Sequence, residues 1–176
     1  GEVGVDHHLV RHVDDQVVVL DSGCLCCSVR GELARALREL FLRALAREIP
    51  PIDRALVETT GLADPAPVIH TLMAEPFIAD RYRCDGVITA VDVTHATGQF
   101  AAHREAVRQV AVADRLLLTK CDLAAEADIQ AVAAQLGQIN PTAPQLRVAR
   151  GEVAADALFG AGVYDPAGRT PDVARW

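Results

Sequence analysis

Long apolar runs are missing from these 176 residues. No stretch approaches the roughly 20 residues that a membrane-spanning helix needs, and nothing at the start reads as a secretory signal. A membrane is therefore not an expected partner. Basic tracts are missing too. The formal net charge is −7 and aromatics make up only 4% of the chain, which excludes a surface built to track nucleic acid phosphates. An even set of cysteines is also absent: five thiols in a chain that is 51% hydrophobic argue against a disulfide framework and for a reducing, cytoplasmic setting. The scarcest charged residue is lysine. Among seventeen basic residues only Lys120 is a lysine, and arginine does not freely replace lysine as a compact phosphate-binding charge.

What is present is concentrated in a few places. Three thiols, Cys24, Cys26 and Cys27, crowd into the stretch Asp21-Ser22-Gly23-Cys24-Leu25-Cys26-Cys27, just after an apolar run. Such crowding on one short turn suits a metal ion with a taste for thiolates, because the ligands share the entropy cost of ordering a single site. Redox and purely structural roles are the alternatives. A cysteine-based oxidoreductase ranks last, since a bridge between the adjacent Cys26 and Cys27 would be strained. Cys84 and Cys121 read as small buried hydrophobes.

Short apolar runs at 16–20, 55–58, 86–91, 115–119 and, more weakly, 145–148 are separated by helix-length segments. Continuously apolar runs read as strands covered on both faces, so the expected fold is α/β with a parallel sheet. Val29, Leu33, Leu37, Leu40, Phe41 and Leu45 recur at helical spacing with charged residues on the other side, which predicts an amphipathic helix. Further helices are expected over 65–73, opened by a proline, and over 99–110 and 124–139. Past Leu158 glycine and proline become dense. The expected organisation is one domain over 1–158 and a linker over 159–176 toward a further domain.

Ligands in open α/β sheets bind beyond the carboxyl ends of the strands, and polar motifs fall at two such ends. Ala55-Leu56-Val57 runs into Glu58-Thr59-Thr60-Gly61. A carboxylate there can hold magnesium through its water shell, and Gly61 lets the backbone approach a terminal phosphate; an ordinary strand end before Pro65 is the competing reading. Leu116-Leu117-Leu118 runs into Thr119-Lys120-Cys121-Asp122. Asp122 can accept two hydrogen bonds from the imide N–H and exocyclic amine of guanine, donors that adenine lacks in that geometry. Lys120 can lay its aliphatic stem along the base. A plain surface turn is the competing reading.

Together, Gly1-Glu2-Val3-Gly4-Val5-Asp6-His7, Gly23-Cys24-Leu25-Cys26-Cys27, Glu58-Thr59-Thr60-Gly61-Leu62-Ala63-Asp64-Pro65 and Thr119-Lys120-Cys121-Asp122 resemble the CobW-type GTPases. That group lies close to the urease and hydrogenase nickel-insertion GTPases. The resemblance spans essentially the whole chain, with matching filler such as Gln109-Val110-Ala111 and Ala113-Asp114-Arg115. It implies a P-loop-NTPase-like fold of the SIMIBI class and a metal chaperone that couples GTP hydrolysis, with magnesium, to delivery of a metal to a client metalloprotein. Zinc is the first expectation for the metal and cobalt the second. By the resemblance Cys24, Cys26 and Cys27 supply a metal-binding C-x-C-C, Glu58 and Gly61 the magnesium and γ-phosphate motif, and Thr119, Lys120 and Asp122 the guanine motif. Glu2 and Asp6 fall in the first switch region as carboxylates near magnesium, water or the delivered metal. Similar proteins serve cobalamin synthesis, zinc homeostasis and nitrile-hydratase maturation, and the resemblance leaves room for a homo-oligomer.

One departure matters. The family begins with a G-x-x-x-x-G-K-[ST] loop whose amides cradle phosphates and whose lysine reaches the β and γ oxygens. No such loop occurs in the chain, and Lys120 is already committed to the guanine motif. The expectation is a fragment without its first strand, phosphate loop and first helix, unable to hydrolyse GTP alone although its intact parent does. The rival expectation is a non-catalytic metal-binding adaptor with a degenerate nucleotide site. His8, His12, His70, His95 and His103 show no ligand spacing and are given no role.

Overall fold

The computed structural model describes residues 28–59, 61 and 63–159, with the side chains of 28–30 left aside. The chain divides after Tyr82 into two compact units. In the first, α1 (Ser28–Leu45) is followed by α2 (Ala66–Ala74) and the short α3 (Pro76–Ala79). Leu33 and Leu37, one helical turn apart on α1, bury against Ile78, with Val68, Leu72, Phe77 and Tyr82 packed around them. The Tyr82 hydroxyl donates to the Leu37 carbonyl at 2.8 Å, and burial pushes its pKa up. Glu75 caps α3 by accepting from the Ile78 amide at 2.9 Å. Phe41 and Phe77 meet edge to face, and the Arg38 and Arg81 guanidinium groups lie 4.4 and 4.3 Å from the Phe77 ring centre.

The second unit is built on a parallel sheet of three strands in the order β1 (Ile88–Asp92), β2 (Arg115–Thr119), β3 (Gln145–Arg147). Parallel neighbours need crossovers, and the helices that supply them are α4 (Ala96–Ala102) and α5 (Arg104–Val112) before β2, and α6 (Glu126–Ile139) before β3. A last short helix, α7 (Ala155–Leu158), follows. The α6 stripe Ile129, Val132 and Leu136 buries with Leu116 and Leu118 of β2 and Val110 of α5. Asn140, only 3% exposed, is the polar centre of this packing. Its Nδ2 donates to the Val110 and Ala113 carbonyls, both at 2.9 Å, and its Oδ1 accepts from the Ala143 amide at 3.1 Å. One buried amide thus satisfies the end of α5 and the turn into β3 together.

The register pairs Asp92 with Thr119 and Leu118 with Arg147, so the carboxyl ends of all three strands finish on one edge. Two expectations need correction. Residues 55–58 are not a strand: they join no ladder among the described residues, and Leu56 is 77% exposed. An apolar run carries strand propensity, but a strand exists only where a neighbour completes its hydrogen bonds. The helix expected over 99–110 is two helices, broken where His103 is extended at φ −129 and ψ 111. No glycine or proline adjoins that break. The 16–20 run lies outside the described residues, as does the expected linker beyond Phe159.

Candidate functional site

The described residues draw the most polar chemistry together just past the ends of β1 and β2. β2 stops at Thr119, and Lys120 then adopts the left-handed conformation, φ 59 and ψ 27. A residue bearing a Cβ is disfavoured there by about 1–2 kcal/mol, so the surroundings must hold it. A 3₁₀ turn, Cys121–Leu123, follows at once, and the Leu123 amide closes it onto the Lys120 carbonyl at 2.9 Å. Cys121 turns inward, its thiol donating to the Leu118 carbonyl at 3.1 Å and its side chain packing on the core. Lys120 and Asp122 on either side of it are exposed. The Thr119 hydroxyl is directed to the sheet and donates to the Val91 carbonyl at 3.2 Å.

Across the ladder, Asp92 ends β1. The Lys120 ammonium donates to its Oδ2 at 2.7 Å. The other oxygen, Oδ1, accepts from the Thr94 amide at 2.9 Å and the Thr94 hydroxyl at 2.6 Å. His95 brings Nδ1 to 3.1 Å from Oδ2 and 2.8 Å from the Thr94 oxygen. Burial by itself pushes the Asp92 carboxyl up, but the Lys120 ammonium, the Thr94 donors and His95 outweigh it and hold the group well below the usual carboxylate range. Asp92 is therefore an anion throughout the neutral range. Its side chain is 21% exposed, against 51% for Lys120 and 68% for His95.

This edge offers a hydrocarbon stem tethered at its charged tip and, two residues on, an exposed carboxylate on the same short turn. Such a pair can flank a planar heterocycle and accept from adjacent N–H donors on its rim. The sequence motif points to Lys120 and Asp122; it does not point to Asp92 or Thr94, and His95, given no role by its spacing, joins them here. The missed signal was an aspartate at the end of one apolar run whose neighbouring run carries the motif; only sheet adjacency joins the two.

In the first unit Glu58 is exposed on irregular backbone. Gly61 is outside the left-handed region, and a Cβ built on it meets nothing within 4 Å. Among the described residues neither backbone conformation nor packing demands glycine there. Cys24, Cys26, Cys27, Glu2 and Asp6 lie outside the described residues. Among the described residues no group of three or more His, Cys, Asp and Glu is arranged to hold a metal ion, and no helix is long and apolar enough to cross a membrane. Cys84 and Cys121 are half-buried free thiols. Burial pushes the Cys84 thiol up, reinforced by Asp114 and Asp85 against the Gly86 amide.

Comparison with known proteins gives a consistent picture. The family described as CobW/HypB/UreG, nucleotide-binding domain, matches residues 1–147. The chain is 41% identical to the zinc chaperone YjiA of Escherichia coli, the match covering 90% of this chain and 49% of that protein. It is 31% identical to the zinc chaperone CobW of Pseudomonas aeruginosa, over 91% of this chain and 50% of the relative. The chain thus spans about half the length of these curated relatives. The crystal structure of Zn(II)-bound YjiA GTPase from E. coli superposes with a TM-score of 0.70 at 39% identity, covering 83% of this chain and 45% of that one. The fold is accordingly that of a P-loop NTPase, a mostly parallel sheet with flanking helices.

Proposed function

Because the chain belongs to the CobW/HypB/UreG nucleotide-binding family, we propose that it is the guanine-reading and metal-holding part of a GTP-hydrolysing zinc chaperone. The observation that carries this reading is the turn after β2, where Lys120 and Asp122 are exposed and Cys121 between them anchors the turn to the core. Asp122 reads the imide and amine of guanine, and the stem of Lys120 covers the base. Glu58 holds magnesium through water, and Gly61 admits the terminal phosphate. Magnesium, when bound, neutralises charge on the β and γ phosphates.

Cys24, Cys26 and Cys27 carry the metal as cargo, with zinc first and cobalt second by ligand chemistry. Glu2 and Asp6 lie in the switch segment that senses the nucleotide. Residues 1–158 form part of the GTP-binding domain, and 159–176 lead out of it. No G-x-x-x-x-G-K-[ST] loop occurs in these residues, so hydrolysis is assigned to the complete protein. There, loss of the γ-phosphate rearranges the switch loops and releases metal to a client metalloprotein in the cytoplasm. Cobalamin synthesis is one pathway that such delivery serves.

Two substitutions in the full-length protein test the two halves. Asp122→Asn is expected to move preference from guanosine to xanthosine nucleotides, whose extra carbonyl accepts from an amide; undiminished guanosine preference removes the guanine assignment. Cys26→Ser is expected to cut zinc affinity by at least about tenfold in a chelator competition, with empty-state GTP affinity unchanged. Equal zinc uptake by both versions removes the assignment of the metal to Cys24, Cys26 and Cys27.

A further inference from the structure

We propose that Asp92 is a positioning residue for purine recognition, fixing the Lys120 stem in place before the base arrives. The inference rests on reading Thr119-Lys120-Cys121-Asp122 as the guanine turn. A free lysine has a flexible four-carbon stem, and laying it along a base costs rotamer freedom at the moment of binding. Here part of that freedom is already spent. The ammonium is bound at 2.7 Å to a carboxylate on the neighbouring strand, and the backbone from which the stem departs is locked left-handed.

Asp92 is itself held for the task. Its Oδ1 is occupied by both donors of Thr94, which leaves Oδ2 directed to Lys120 and His95. The register sets Asp92 directly opposite Thr119, one residue short of Lys120, so the sheet decides where the tethered tip lies. Asp92 acts on the ligand only through Lys120. Preorganisation of this kind raises affinity by lowering the ordering cost, without adding a contact.

A double-mutant cycle read by titration of a fluorescent guanosine diphosphate into the full-length protein, with the Tm of each variant measured beside it, separates this from a mere strand tie, which would lower Tm along with affinity. Asp92→Ala alone should weaken binding on the order of tenfold. In a Lys120→Ala background the same change should cost less than about twofold. Asp92→Asn keeps the shape and the Thr94 bonds but loses the charge, so it should fold and show the same dependence on Lys120. Equal losses in both backgrounds, or no loss at all, overturn the proposal. Asp122→Asn is measured alongside with xanthosine diphosphate. If it fails to shift base preference, the guanine reading falls; if it shifts preference while the cycle is additive, only the role of Asp92 falls.

Discussion

Arg47 and Lys120 both have positive φ, 60 and 59, and neither is glycine. Their surroundings explain that conformation differently. Arg47 ends α1: its amide donates to the Ala44 carbonyl at 3.1 Å and the Glu48 amide to the Arg43 carbonyl at 3.0 Å, the hydrogen-bond pattern of a helix stopped by a left-handed residue. The backbone alone does that work, and the Arg47 side chain is exposed. Lys120 also turns the chain, but its side chain crosses to the next strand and binds Asp92. Glycine would serve the first turn better and would empty the second of its chemistry. Two equal departures from comfortable backbone geometry thus have unequal meaning, and the side chain decides which is which.

The comparison breaks most visibly at Lys120. Lys120→Gly removes the backbone penalty and the tether together, so guanosine nucleotide affinity should fall about tenfold or more while the thermal midpoint does not drop. Retained affinity in that variant would reduce Lys120 to another Arg47. The smaller effect belongs to the helix end. Arg47→Gly should raise stability by about 0.5–1 kcal/mol, a shift of a few degrees in Tm, and leave nucleotide binding unchanged. A loss of stability there would mean that the arginine side chain supports the first unit after all.

The second unit was largely legible from the chain. Residues 115–119 form β2 as expected, the runs at 86–91 and 145–148 became β1 and β3 within two residues, and α6 starts two residues late at Glu126. Those segments are strongly patterned and pack on one another. The run at 55–58 shows that apolar propensity alone does not make a strand: among the described residues it joins no ladder. The break at His103 left no trace in residue type. At the candidate site, the turn carrying Lys120 and Asp122 could be located because its residues are consecutive. Asp92 could not, because it stands 28 residues away in sequence and meets Lys120 only through strand order.

Asn140 precedes Pro141, and this pairing bears on how the protein ages. Asparagine most readily deamidates when the next residue's backbone nitrogen attacks its side-chain carbonyl, and a proline nitrogen has no hydrogen to give up in that closure. The side-chain nitrogen, meanwhile, is engaged with the carbonyls at the end of α5. The junction on which α5, α6 and β3 converge is therefore shielded from the slow chemical conversion to aspartate, which would set a negative charge against those same carbonyl oxygens.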